Sequence, residues 1–113
     1  MHEISVLEQV VNRCREIAVE NQVDNIKVIT LAVGELSGYI PHFFTEYFPI
    51  ITKAEPLFGG TKLHIHEIKG EALCRQCHCM YNIMKNEGAC PKCGSREKTI
   101  IGGEEFKVEQ LLV

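Results

Sequence analysis

The sequence lacks several features that would define a function class at once. No apolar run is long enough to span a bilayer, and no cluster of Lys and Arg forms a polybasic stretch. The net charge of −3 and the scattered basic residues argue against a protein that covers a nucleic-acid backbone. No phosphate-binding loop, nucleophile elbow or open three-ligand zinc site is present. We therefore expect a protein that is not an enzyme and binds neither nucleic acid nor membrane.

A secretory signal is also missing, because residues 1–5 have no basic region and no long apolar segment follows them. We expect a cytoplasmic protein whose thiols stay reduced. Six cysteines in that compartment favour metal ligation over disulfides. The chain has 113 residues, of which 45% are hydrophobic and 24% charged, and these values are typical of one folded domain or of one domain with a small subdomain.

The pattern of apolar residues predicts an α+β fold. The predicted elements are a helix at 5–21, a strand at 26–33 with both faces apolar, a helix from Pro41, and strands at 61–68 and 105–112. Ser5 and Glu8 fit a capping box at the start of the first helix, and Pro49 is expected to kink or end the second helix. The last strand is too short to stand alone, so we expect it to return and pair with the earlier strands. A bulge or frayed end is expected near its end, where strict alternation breaks.

Two C-x2-C pairs, separated by twelve residues, form the strongest motif in the sequence. Cys74, Cys77, Cys90 and Cys93 can place four thiolates on one cation in the closed tetrahedral site that structural zinc prefers. Gly94 follows the second pair, where a tight turn often needs a residue without a Cβ atom. Strand-like runs at 80–84 and 98–101 flank the pairs, as in a zinc ribbon.

Two other interpretations of the cysteines stay open: an iron site of rubredoxin type in a redox protein, which would be coloured, or a set of unrelated buried cysteines. His78 and Cys79 adjoin the first pair, but four thiolates complete the shell, so we treat both as bystanders. Cys14 lies on the apolar face of the first helix, which favours a small buried hydrophobic residue. The cysteine segment has little apolar core, so we expect it to be disordered without metal.

A histidine at position 2 is the least expected feature of the amino terminus. His2 can chelate through its side chain and its own backbone nitrogen, and the Met1 amine or the Glu3 amide can add further nitrogen donors. Such a set is planar, and square-planar nitrogen coordination suits Ni(II) or Cu(II) better than zinc. Because amide ligands must lose protons, metal affinity at this site should fall in acid.

The whole chain resembles the HypA/HybF family of nickel metallochaperones for nickel–iron hydrogenase maturation. The resemblance is carried by the Met-His-Glu start, the first helix, the Val-Gly-Glu sequence that ends the first strand at residue 35, and the paired cysteine motifs with Cys-Pro-Lys-Cys-Gly-Ser at 90–95. It implies a nickel-binding domain of two helices and a three-stranded sheet at 1–69 and 104–113. A zinc-binding domain at 70–103 would be inserted into it.

The resemblance also implies that His2 binds nickel through its imidazole, together with backbone nitrogens of His2 and Glu3. It implies a HypB-type GTPase and the hydrogenase large subunit as partners. Since some family members serve urease, urease accessory proteins are further expected partners. We expect a monomer or a weak homodimer.

One departure from the family concerns position 40, near which some members carry an acidic nickel ligand. Residues 38–42 contain no carboxylate here, and we expect His42 or the Met1 amine as the fourth donor. The main rival function is a zinc-ribbon protein-interaction module without nickel. His64 and His66 lie on one face of a strand and could bind metal, but we interpret them as solvated surface residues.

Overall fold

The computed structural model describes residues 2–113, and of His2 it describes the backbone alone. The elements in chain order are helix α1 (His2–Glu20), strand β1 (Val28–Gly34), helix α2 (Pro41–Ile51), a single 3-10 turn (Pro56–Phe58), and strands β2 (Lys62–Ile68), β3 (Glu71–Cys74), β4 (Met80–Asn82), β5 (Lys98–Gly102) and β6 (Phe106–Leu112). The strands form two three-stranded sheets. The predicted α+β class is confirmed. No helix in the described part of the chain is long and apolar enough to cross a membrane.

Helix α1 begins three residues earlier than predicted, at His2. The expected capping box at Ser5 and Glu8 is therefore wrong, because residues 2–4 are already helical and Ser5 lies inside the first turns. The buried stripe of α1 also reaches this amino-terminal end, since Glu3 precedes Leu7 by four residues and both side chains are buried.

The first sheet has the strand order β2-β1-β6, with β2 parallel and β6 antiparallel to the central strand β1. The chain leaves after β2, forms the whole second sheet and returns to pair β6 with β1, as the sequence predicted. The β1–β6 register shifts between Thr30 and Leu31, whose partners are Gln110 and Val108. Glu109 is thus the extra residue of a β-bulge.

Helices α1 and α2 pack on one face of the first sheet. The buried core joins both helices, β1, the segment before β1 and the 3-10 turn through Leu7, Val10, Val11, Cys14, Ile26, Ile29, Leu31, Val33, Phe44, Phe48 and Phe58. The opposite face has no helical cover: Val28 and Thr30 are half-buried, and their strand neighbours Lys62 and His64 are exposed. The sequence predicted a strand with two apolar faces, and on this second face Ala32 is buried while Val28 and Thr30 are only half-buried. Because this second face carries small side chains and a hydroxyl group, it can be exposed to solvent.

Helix α2 begins at Pro41, as predicted, and Pro49 does not end it, because the helix continues to Ile51. Proline costs a hydrogen bond inside a helix. Near the end of this short helix the cost is limited, and burial of Phe44 and Phe48 against the core offsets it.

The second sheet has the order β4-β3-β5, and both pairings are antiparallel. Its central strand, Glu71–Cys74, was missed by the sequence analysis, because four residues are too few for a clear alternation. The flanking strands match the predicted runs at 80–84 and 98–101. Together they form the zinc-ribbon-like part of the fold.

Candidate metal centre

Each C-x2-C pair forms a knuckle, and the two knuckles have the same backbone hydrogen bonds. In the first, the N–H of His78 donates to the carbonyl of Cys74 at 2.9 Å. In the second, the N–H of Gly94 donates to the carbonyl of Cys90 at 2.8 Å. A further pair of bonds runs from the N–H of Cys74 to the Cys79 carbonyl and from the N–H of Cys90 to the Ser95 carbonyl, both 2.9 Å. Equivalent bonds in both knuckles aim the four thiols at one point.

The residue that closes each knuckle has a positive φ, 61° at His78 and 78° at Gly94. The sequence predicts a tight turn without a Cβ atom at Gly94 alone. In the first knuckle a histidine takes the left-handed conformation, which residues with a Cβ atom adopt at a cost. The role of His78 is therefore conformational, and it could have been found by aligning the two knuckles position by position.

The four Sγ atoms lie within 4.8 Å of one another, and two of the distances, Cys74–Cys93 and Cys77–Cys90, are 3.5 Å. A tetrahedral zinc with Zn–S bonds near 2.3 Å separates its sulfurs by about 3.8 Å. A disulfide needs about 2.05 Å, and all six cysteines are free thiols. Within residues 2–113, leaving aside the His2 side chain, these four cysteines are the one group of three or more His, Cys, Asp or Glu side chains that is compact enough to hold a metal ion. The donor set fits zinc.

Hydrogen bonds, burial and neighbouring thiols give the four cysteines different pKa values. Burial opposes ionisation of Cys90, but the backbone N–H groups of Cys93 and Lys92 outweigh it and lower its pKa to about 6. The N–H of Cys77 likewise lowers the pKa of Cys74. The Cys79 N–H favours the Cys77 thiolate, yet burial and the adjacent thiols outweigh it and raise the pKa of Cys77 to about 12. Four thiols this close together resist full ionisation because their negative charges repel one another. A bound divalent cation offsets that repulsion.

The residues expected to bind nickel are only partly within the described structure. Met1 and the His2 imidazole lie outside it. Glu3 is 7% exposed, and its Oε2 accepts a hydrogen bond of 3.1 Å from the backbone N–H of Ile40. This bond links the first turn of α1 to the residue that precedes α2. It was missed because the helix was predicted to start at Ser5; a helix from residue 2 places Glu3 on the buried stripe.

His42 lies in the first turn of α2, and its Nε2 is 3.3 Å from a carboxylate oxygen of Glu46. Its side chain is 75% exposed, so it is open to further ligands. His64 and His66 are exposed, as expected, but His66 contacts the carboxylate of Glu109. Cys79 donates to the carbonyl of Met80 at 3.4 Å and is not part of the four-cysteine group.

Glu35 connects the two sheets. Its Oε1 accepts hydrogen bonds from the backbone N–H of Gly70 at 2.6 Å and from Nδ2 of Asn82 at 3.3 Å. The Gly70 N–H is the main cause that lowers the pKa of this carboxyl. Beside it, a Cβ atom at Gly103 would lie 2.5 Å from the Cα of Gly70, and Gly103 has φ +106°. The backbones therefore touch where the chain enters and leaves the second sheet.

Comparisons with known proteins agree with this architecture. The profile of the family described as "Hydrogenase/urease nickel incorporation, metallochaperone, hypA" matches residues 1–113. Proteins called hydrogenase maturation factor HypA from Campylobacter jejuni and Azotobacter vinelandii are 32% and 31% identical over 113 residues, which are 100% of this chain and 99% of each relative.

Two solved structures are similar over nearly the whole chain. The solution structure of the nickel metallochaperone HypA from Helicobacter pylori has a TM-score of 0.65 and 26% identity, over 97% of this chain and 95% of that one. A second HypA solution structure has a TM-score of 0.69 and 27% identity, over 99% and 95%. The family profile covers the whole chain, and curated relatives are more than 30% identical to it over 99% of their length: this chain belongs to the HypA family of hydrogenase and urease nickel-incorporation metallochaperones.

Proposed function

We propose that this chain binds Ni(II) at its amino terminus, carries a structural zinc ion on Cys74, Cys77, Cys90 and Cys93, and helps insert nickel into nickel–iron hydrogenase. Family membership supports the nickel cargo and its destination. The compact four-thiol group supports the zinc. We place the protein in the cytoplasm, where its six thiols stay reduced.

The observation that carries the nickel site is the hydrogen bond between Glu3 and Ile40. It holds the start of α1 against the start of α2, so a metal bound near Glu3 would lie at an anchored end of the helix. The proposed nickel donors are the backbone nitrogens of His2 and Glu3 together with the His2 imidazole, as the family resemblance implies. Deprotonated amides carry negative charge, which the positive end of the helix dipole stabilises.

The fourth nickel donor in this proposal is the His42 imidazole or the Met1 amine. His42 follows Ile40 by two residues, at the end of α2 that Glu3 anchors, and it is exposed. Imidazole and amine nitrogens both suit square-planar Ni(II). A His42→Ala variant whose nickel spectrum matches that of the native protein would leave the Met1 amine as the donor.

Nickel titration by calorimetry on the zinc-loaded chain tests the amino-terminal site. We expect His2→Ala, and a version with one extra residue before Met1, each to lose the tightest binding event. Substitution of His78, which closes a zinc knuckle, is unsuitable as a control, so the matched control is Gln9→Ala, an exposed position of α1. Equal affinity for the tightest event in the native protein, in His2→Ala and in the extended version would refute the site.

Delivery requires partners, and we propose a HypB-type GTPase and the hydrogenase large subunit, with urease accessory proteins as further candidates. Pull-down with each purified partner, with and without nickel, checks this assignment. Nickel-dependent transfer to the large subunit is the expected result.

A zinc-ribbon interaction module without nickel is the second candidate function. One observation favours it: Met80, Met84, Ile100 and Ile101, on or beside the strands of the second sheet, are large apolar side chains exposed by 42% or more. Such side chains often contact partner proteins. A purified, untagged chain that contains zinc but binds no nickel would leave this function in place of the first.

A further inference from the structure

The face of the first sheet opposite the helices carries a histidine pair that the amino-terminal site does not use. His64 and His66 are alternate residues of β2, so both point to this face. They are paired in register with Thr30 and Ala32 of the central strand. Ala32 is fully buried, and its register partners on the two edge strands are His66 and Lys107.

Glu109 reaches across the central strand to one of these histidines. Its two carboxylate oxygens lie 3.0 and 2.9 Å from Nδ1 of His66. The two edge strands are two strand spacings apart, roughly 9–10 Å, and the small Ala32 between them leaves room for the contact. The bulge at Glu109 brings this carboxylate to the open face.

This contact determines which nitrogen of His66 is available. An ionised carboxylate only accepts hydrogen bonds, so Nδ1 of the neutral ring carries the proton and donates it. Nε2 then has a free lone pair directed away from Glu109. A histidine whose second nitrogen donates to a carboxylate is the usual arrangement of metal ligands in proteins, because the carboxylate orients the ring and raises its basicity.

We propose that His64 and His66 form a second metal site, for Ni(II) or another divalent transition ion, with Glu109 as the positioning residue. Alternate residues of a strand are about 6.8 Å apart, a separation that two imidazoles can bridge to one ion. Imidazole is a good ligand for nickel, copper and zinc, and water completes the shell. His64 must turn toward His66 on binding, and its exposed ring is unhindered.

The charges around the pair set the strength of the site. Lys62 on β2 and Lys107 on β6 alternate with these residues and face the same side, and both oppose a cation. Glu109 offsets one of these charges. We therefore infer a weaker and faster-exchanging site than one built from deprotonated amides. His64, His66 and Glu109 take no part in the proposed amino-terminal site, so the two sites are independent of each other.

Calorimetric titration of the zinc-loaded, full-length chain with nickel chloride tests the proposal. Four proteins are compared: native, His2→Ala, His64→Gln/His66→Gln, and the triple variant. We expect His2→Ala to retain one binding event that the triple variant loses, and the histidine-pair variant to retain the amino-terminal event. No nickel binding by His2→Ala, or unchanged binding by the triple variant, would overturn the second site. Equal binding by the native protein and His2→Ala would count instead against the amino-terminal site.

A second measurement identifies the ligands directly. In the His2→Ala protein, nickel should broaden the NMR resonances of the His64 and His66 rings before those of His42 and His78. Glu109→Gln should lower affinity at this site by about 10- to 100-fold, the usual effect of losing a carboxylate behind a metal-bound histidine. Glu16→Gln, an exposed carboxylate on α1, is the matched control and should leave affinity unchanged. Ring resonances unaffected by saturating nickel would refute the assignment.

Discussion

The two sheets of this chain are stabilised in different ways. Eleven buried hydrophobic residues, from both helices, β1, the 3-10 turn and the segment that precedes β1, form the core of the first sheet. The buried cluster of the second sheet has four, Ala72, Cys74, Tyr81 and Cys90, and two of these belong to the four-thiol group. Each large buried side chain contributes roughly 1.5–3 kcal/mol. The first region can therefore fold on apolar burial, whereas the second depends on the ion that its cysteines bind.

Removal of zinc should have the largest effect, and only on the second region. We expect Cys90→Ser, or chelation, to unfold residues 70–103, because structural zinc contributes on the order of 10 kcal/mol in small metal domains. Amide NMR spectra should then retain dispersed signals from the first sheet and lose those of the second. Cys79→Ser, a cysteine outside the group, is the matched control and should keep its zinc. Loss of both sheets together would contradict the comparison.

Truncation of Phe44 should have the converse effect. This side chain is fully buried and its ring lies 5.3 Å from that of Phe106, stacked on it. Phe44→Ala should destabilise the first region by about 3–5 kcal/mol, measured by urea unfolding, without altering zinc content. Ile50→Ala, on the exposed side of the same helix, should change stability by no more than about 0.5 kcal/mol. A large effect of Ile50→Ala on stability would contradict this packing of α2, in which Ile50 faces the solvent.

Removal of the Glu3 carboxylate should give a smaller change at the proposed nickel site. Glu3→Ala leaves the Ile40 N–H without this acceptor, and loss of such a bond costs about 1–3 kcal/mol. The backbone donors remain, but the first turn of α1 loses its anchor, so nickel affinity should fall as well. Glu8→Gln, an exposed carboxylate on the same helix, is the control. Unchanged stability and unchanged affinity in Glu3→Ala would refute this role of the hydrogen bond.

Acid should loosen the junction between the two sheets, and this should be the smallest of the expected effects. The Gly70 N–H lowers the pKa of Glu35 in the folded protein below its unfolded value. A depressed folded pKa stabilises the fold above the unfolded pKa, and this contribution is lost as pH falls through the folded pKa. Residual dipolar couplings should show the second sheet becoming mobile relative to the first in acid. In Glu35→Ala the mobility should already be present at neutral pH; an ordered junction there would contradict this role.

The local patterns predicted most of the elements, because each depends on residues near in sequence. The cysteine pairs are four-residue turns with their own hydrogen bonds, and the stripe of α1 follows from helical periodicity. The start of α1 was misplaced because Ser5 and Glu8 also fit a capping box. The short strand β3 was missed because its partners on β4 and β5 lie 7 to 31 residues away. Local strand propensity does not reveal pairing between segments that are far apart in the sequence.

What the sequence by itself determined is the family, the four thiols and the amphipathic elements, because spacing along the chain sets which side chains share a turn or a face. Only the tertiary structure decided which distant groups meet: Glu3 with Ile40, Glu35 with Gly70 and Asn82, and His66 with Glu109, separated by 35 to 47 residues. Each of these carboxylates reads in the sequence as an ordinary charged residue. Packing of the helices, the return of β6 and the bulge at Glu109 gave each one its partner.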